Sequence, residues 1–204
     1  LLIIMMVISA CSPSKKEQAF TAFNEGVSLS LSAGEYAQSR NMAKARELNA
    51  RAIEKYKETL RLDSTHHLVR SALGHSSYLQ KDFAAGIYWF EQANKLDTPM
   101  AVNYREMGLC KINLGRIPEG QRDLERAFVM DGGKEIKEIT IADLTDIGQL
   151  AFQYGEAYEA EGAKAKGETY KRFSIGVLLT AFTIDTTKKE IAGMIAEYAQ
   201  NIGE

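Results

Sequence analysis

The sequence predicts an all-α protein of about four stacked helical hairpins plus a C-terminal capping helix, and three observations carry that prediction. Apolar residues recur three and four apart, as in Tyr104, Met107, Gly108 and Ile112, the stripe that one helix face buries. Alternation at period two is confined to Phe182-Thr183-Ile184, too short to weigh as a strand. A shift of 34 residues lays Leu73-Gly74 on Met107-Gly108 and, in step, Gly86 on Gly120, Phe90 on Leu124, Ala93 on Ala127, Leu96 on Met130 and Asp97 on Asp131. One period upstream, Ala52, Tyr56, Leu62 and Asp63 hold the same places. Recurrence at this period marks stacked helical hairpins, each burying its apolar face on the next.

Composition narrows the function classes. The chain has 204 residues, 45% apolar and 25% charged, a balance that can bury a core. Its net charge of −2 lacks the basic excess of a phosphate-backbone binder, so no nucleic-acid partner is expected. Two cysteines and three histidines make a thiolate or histidine metal site a poor bet, and neither metal nor cofactor is expected. There is no Gly-rich phosphate loop, no H-E-x-x-H and no nucleophile elbow, so no enzymatic activity is expected.

Taken in chain order, residues 1–10 (LLIIMMVISA) have the length and apolarity of a signal-peptide core. They lack an initiator Met and a charged leading segment, so the expectation is a signal peptide clipped at its start. Ile8-Ser9-Ala10-Cys11 resembles the bacterial lipobox, which implies that Cys11 is lipidated and becomes the N-terminus; a buried apolar segment with an incidental Cys is the alternative. Each acyl methylene placed in a bilayer contributes about 0.8 kcal/mol, and two or more chains hold firmly. Ser12, where Asp often marks inner-membrane retention among lipoproteins, implies attachment to the outer membrane, facing the periplasm. Residues 11–14 then form the lipidated Cys and a tether of roughly 10 Å, which keeps the body on the membrane.

The body, residues 15–204, divides into units at about 15–63, 67–98, 101–132 and 140–185, with the capping helix at 188–202. Glycine recurs where two helices of a hairpin must approach closely, and large apolar residues recur where they fill the gap. Gly26 to Asp63 and Gly148 to Asp185 each span 37 residues, against 23 from Gly74 to Asp97 and from Gly108 to Asp131. The 14 extra residues split into about two turns per helix, which predicts two tall hairpins flanking two short ones; unrelated loop insertions would give the same count. Ser14 with Glu17, Thr140 with Asp143 and Thr187 with Glu190 have capping-box spacing for the first helix, the fourth unit and the final helix. Thr98 before Pro99 reads as an N-cap followed by Pro, and Gly132-Gly133 as a helix end.

Over residues 67–131 this pattern resembles the tetratricopeptide repeat (TPR) family, and over about 150 residues if the outer units count. The resemblance implies a right-handed superhelix with a concave groove lined by the first helix of each hairpin. The chain departs from the family at Arg70, Ser77 and Lys111, where aromatics are usual, and at Thr98 and Gly132, where Pro is usual. Carried onto this sequence, the groove positions are Leu68, Ser71, His75, Tyr78 and Leu79 in the second unit and Val102, Arg105, Leu109, Ile112 and Asn113 in the third. The outer units supply Phe20, Phe23, Val27, Ser30 and Leu31, and Ala142, Thr145, Gln149, Phe152 and Gln153.

Arg105 is the one cation among these positions, so the basic clamp with which family members grip a C-terminal carboxylate is absent. The groove reads as apolar with aromatic edges, suited to an amphipathic helix or an extended apolar peptide, unless the protein covers it itself. His75 falls on the groove face, His66-His67 reads as a solvated junction, and Cys110 as a buried inert thiol. The expected function is a membrane-anchored adaptor binding another envelope protein or peptide. The alternative is a small-ligand or lipid-binding lipoprotein beside an uptake system.

Overall fold

The computed structural model describes residues 13–203, so Cys11 and the signal-like segment lie outside the described residues. Nine helices and no strand are found among them: α1 Lys15–Gln38, α2 Met42–Leu62, α3 Val69–Leu79, α4 Phe83–Leu96, α5 Ala101–Asn113, α6 Ile117–Met130, α7 Lys134–Ala160, α8 Lys164–Ile184 and α9 Lys189–Asn201. The first eight pair into four antiparallel hairpins, and α9 packs on α8.

All four hairpin turns are built alike. Each has three residues, and the middle one, Arg40, Lys81, Gly115 or Gly162, sits at φ 61°, 63°, 78° or 86°. The following N–H reaches back five residues, as from Arg116 to the Lys111 carbonyl at 2.9 Å and from Ala163 to the Tyr158 carbonyl at 2.8 Å. This left-handed closure satisfies carbonyls the helix end would leave bare. At the opposite end, α2, α4, α6 and α8 all stop at an aspartate: Asp63, Asp97, Asp131 and Asp185. Asp63 Oδ1 accepts from Thr65 N at 2.9 Å, Asp185 Oδ1 from Thr187 N at 2.9 Å, and Asp131 Oδ1 from Gly133 N at 2.9 Å. The recurrent aspartate is therefore a turn device that competes for the chain after the helix ends.

Counted from these aspartates, α2 and α8 have 21 residues and α4 and α6 have 14. Seven residues are two turns, about 10 Å, so the outer hairpins overtop the inner ones on the turn side. Seven residues before and five after the left-handed residue stand Gly74 and Gly86, Gly108 and Gly120, and Gly155 and Gly167. A methyl on Gly120 would lie 2.6 Å from the Gly108 carbonyl oxygen, and one on Gly167 2.6 Å from that of Gly155. In the first hairpin buried Ala33 and Ala45 take these places. The outer hairpins add a second close layer two turns below, where Gly26 meets Tyr56 and Ser174 Oγ donates to the Gly148 carbonyl at 2.7 Å.

The core runs along the hairpin junctions. Ala52, Tyr56, Val69 and Leu73 fill the first, and Ile87, Phe90, Tyr104, Met107 and Cys110 the second. Leu109, Ile112, Leu124, Leu144, Val177, Leu178 and Ile191 fill the third and its α9 cover.

Three expected caps are corrected. Thr140 lies inside α7, which starts at Lys134, and its hydroxyl donates to the Ile136 carbonyl at 2.6 Å. Thr187 Oγ1 donates to Asp185 at 2.7 Å instead of capping α9, whose N-cap is Lys188. Met100, not Thr98, precedes α5. Gly132 and Gly133 follow the end of α6, and Gly133 is the N-cap position of α7. Ser14 forms the full capping box: its hydroxyl accepts from Glu17 N at 3.3 Å and Glu17 Oε2 accepts from Ser14 N at 2.6 Å.

Candidate functional site

Helices α3, α5 and α7 run side by side: α3 touches α5, and α5 touches α7. This is the inner face, and its residues divide into open, covered and ion-paired. Phe20, Leu68 and Leu79 are open, at 63%, 40% and 45% exposure. Phe23 is half-buried under the His66 ring, 4.4 Å away. Tyr78 is half-buried between the second and third core clusters, with Phe83 at 6.1 Å.

Three expected groove residues are not available to a partner. Leu109 and Ile112 are fully buried. Ile112 fills the space left by Gly120, and Leu109 joins Leu144 and Leu178 where α7 closes on α5. Phe152 is buried beneath α9, its ring stacked on Tyr198 with centroids 3.6 Å apart. The capping helix that completes the array therefore also covers this end of the inner face.

Arg105, the expected lone cation, is buried and committed. Its Nε donates to Thr140 Oγ1 at 3.1 Å and its terminal nitrogen pairs with Asp143. Burial pushes the Asp143 carboxyl above its usual range, more than Arg105 pulls it down. Beside this pair, His75 Nδ1 lies 2.9 Å from both oxygens of the buried Glu106 carboxylate. The hydrogen bond to Glu106 holds the His75 ring above the ordinary imidazole range, while about half of that side chain stays exposed. Below them, burial pushes the Cys110 thiol up to about 12, which keeps it protonated and unreactive at neutral pH. Among the described residues no three His, Cys, Asp or Glu side chains converge as a metal site.

Two pockets of about 250 Å³ each stay open on this face, and Phe20 lines a further cleft with Arg51 and Lys55 of α2. The first lies near the aspartate end, between Val102 and Arg105 of α5 and Glu135, Ile136 and Ile139 of α7, with Asp131 on its rim. The second lies near the turns, between Tyr78 and Leu79 of α3, Lys81 and Phe83, Asn113, and Asp146, Ile147 and Leu150 of α7. Sequence reasoning named Tyr78, Leu79, Val102, Arg105 and Asn113 here but passed over the α7 residues. A groove register counted from Gly148 selects Thr145 and Gln149, while the α7 residues that line the pockets are Glu135, Ile136, Ile139, Asp146, Ile147 and Leu150. That three-and-four spacing was visible, but nothing in it told an open stripe from a buried one.

No helix among the described residues is long and apolar enough to cross a membrane. No family model and no curated protein matches the chain. Among solved structures the chain is similar to a TPR repeats protein from Bacteroides fragilis, at 16% identity and a TM-score of 0.40, covering 90% of this chain and 99% of that one.

Proposed function

We propose that this protein is a non-catalytic scaffold, held at the bacterial envelope by lipid on Cys11, that binds a segment of another envelope protein along its inner face. The observation that carries the reading is the pair of open pockets, floored by apolar side chains of α3, α5 and α7. Leu79 and Leu150 are 45% and 40% exposed at one, and Val102 and Ile139 are 46% and 47% exposed at the other. Exposed apolar side chains gathered in clefts favour a partner that removes them from water, at about 25 cal/mol per Å².

The pocket volumes also weigh between the two binding readings. The open clefts beside α1 and α2, about 420 and 520 Å³, reach the roughly 300–1,000 Å³ of a small-molecule site, but the two inner-face pockets, at about 250 Å³ and open to solvent, fall below it. Side chains of a protein segment fit them better than a whole ligand.

The anchor and the groove are tested separately. Intact mass of the membrane-extracted protein is expected to show a diacylglyceryl-modified N-terminal Cys, lost with membrane attachment in Cys11→Ser. An unmodified wild-type chain rules out the anchor. For the groove, the lipidated protein is pulled from its own membranes beside a Leu79→Glu/Leu150→Glu variant and a Tyr88→Glu control on α4. A partner retained by wild type and control but lost from the double variant is expected. A partner retained by all three removes the inner face from the account.

A further inference from the structure

Along α7 the two pockets are the same site repeated. Glu135, Ile136 and Ile139 line the first, and Asp146, Ile147 and Leu150, each eleven residues further on, line the second. Eleven residues are just over three whole turns, so the two sets share one face of α7 and lie about 16 Å apart. Each set places two branched apolar side chains three apart beside one carboxylate.

The rims are acidic. Asp131, Glu135 and Asp146 make no ion pair with any cation among the described residues, and Asp143 spends its charge on Arg105. Lys81 alone opposes them at the second pocket. Asp143 and Glu106 are matched by Arg105 and His75, so the negative field of the face comes from Asp131, Glu135 and Asp146.

We infer that the inner face takes a basic amphipathic helix, lying along α7, whose apolar side chains eleven residues apart fill the two pockets while its Lys or Arg residues meet Glu135, Asp146 and Asp131. This rests on the inner-face reading above and names the chemistry of its partner. A helix matches the spacing because it repeats with the same rise as α7. An extended strand covers about 16 Å in five residues, an odd number, which points the two side chains to opposite faces. The carboxylates select the sign of the flanking charge and speed encounter.

The test uses the full chain and three synthetic probes followed by fluorescence anisotropy. One is a lysine-rich amphipathic peptide with leucines eleven apart, the second has glutamates in place of the lysines, and the third has its leucines moved to seven apart. The first is expected to bind at least about tenfold more tightly than either other probe. Leu150→Glu and Ile139→Glu, both at exposed positions, are expected to weaken it by about tenfold each with unchanged circular dichroism. Glu135→Gln/Asp146→Asn is expected to lower affinity several-fold and flatten its dependence on salt. Equal binding of the lysine and glutamate probes, equal binding of the two leucine spacings, or no binding of any probe overturns the inference. If all three probes bind alike and Leu150→Glu abolishes them, the inner-face reading stands and this inference falls.

Discussion

The inner and outer hairpins solve one packing problem at two heights, and the difference shows where binding surface comes from. Hairpins α3–α4 and α5–α6 close on a single Gly–Gly layer, with almost nothing beyond it but the turn. Hairpins α1–α2 and α7–α8 add two turns to the second helix, about twice that to the first, and a second small-residue layer. The added length changes what the helices can bury. Lys171, placed where the short units carry Phe90 and Leu124, is almost fully buried, with Nζ 2.5 Å from Glu159 Oε2. At the start of α7 the extra residues 134–140 wall the first pocket, and Asp146, Ile147 and Leu150 beyond them wall the second. The short hairpins supply a regular core, and the tall one supplies the surface.

The largest expected effect falls on the inner core. Phe90 is 1% exposed and its ring occupies the space that a methyl on Gly74 would need. Phe90→Ala is expected to cost about 3–5 kcal/mol in urea unfolding. A loss below about 1 kcal/mol would mean that the Gly–Phe contact does not hold the inner hairpin. Next comes Gly120→Ala, whose methyl meets Ile112 Cγ1 at 2.5 Å and the Gly108 carbonyl at 2.6 Å. Because the second contact is backbone, relief requires the helices to part, and the expected cost is about 1–3 kcal/mol. Gly167→Ala makes the matching clash in the tall hairpin but leaves the Ser174–Gly148 layer intact, so a smaller loss sharpens the comparison.

These elements also show what sequence could and could not disclose. The Gly, the large apolar residue and the aspartate were legible because each is demanded by backbone geometry, which repeats every 34 residues. The height of the outer hairpins was legible for the same reason, as an excess between two fixed marks. Thr140 and Thr187 misled because a threonine hydroxyl also bonds a carbonyl one turn back, or an aspartate at a turn. Leu109, Ile112 and Phe152 misled for a different reason. Position within a repeat fixes the direction of a side chain, but whether α7 or α9 then covers it depends on contacts across units.

A smaller effect is expected from pH. The bond to Glu106 raises the His75 value above 6.5, so the folded state holds that proton more tightly than the unfolded chain. The stabilisation is fully present below the unfolded value and is lost as pH rises through the folded one. Thermal unfolding temperature is therefore expected to fall as pH rises from about 6.5 through the raised His75 value, with a shallower fall in His75→Gln. An identical slope in the variant would remove His75 from the α3–α5 junction.

The smallest effect distinguishes the turns. Arg40 in the first hairpin holds the left-handed conformation that Gly115 holds in the third. Arg40→Gly is expected to stabilise by about 0.5–1 kcal/mol, and Gly115→Ala to destabilise by about 1–2 kcal/mol. Opposite signs in the two melts follow from one shared turn geometry.

The central claim, that the face walled by α7 is where a partner lies, is tested most directly by site-specific photo-crosslinking of the protein in its own cells. A photoreactive residue at Leu79, Ile139 or Leu150 is expected to yield one discrete adduct of common mass, and the same residue at Tyr88 or Val129, exposed on α4 and α6, to yield none. The same adduct from Tyr88 and Val129, or no adduct from the three inner positions, would contradict the account.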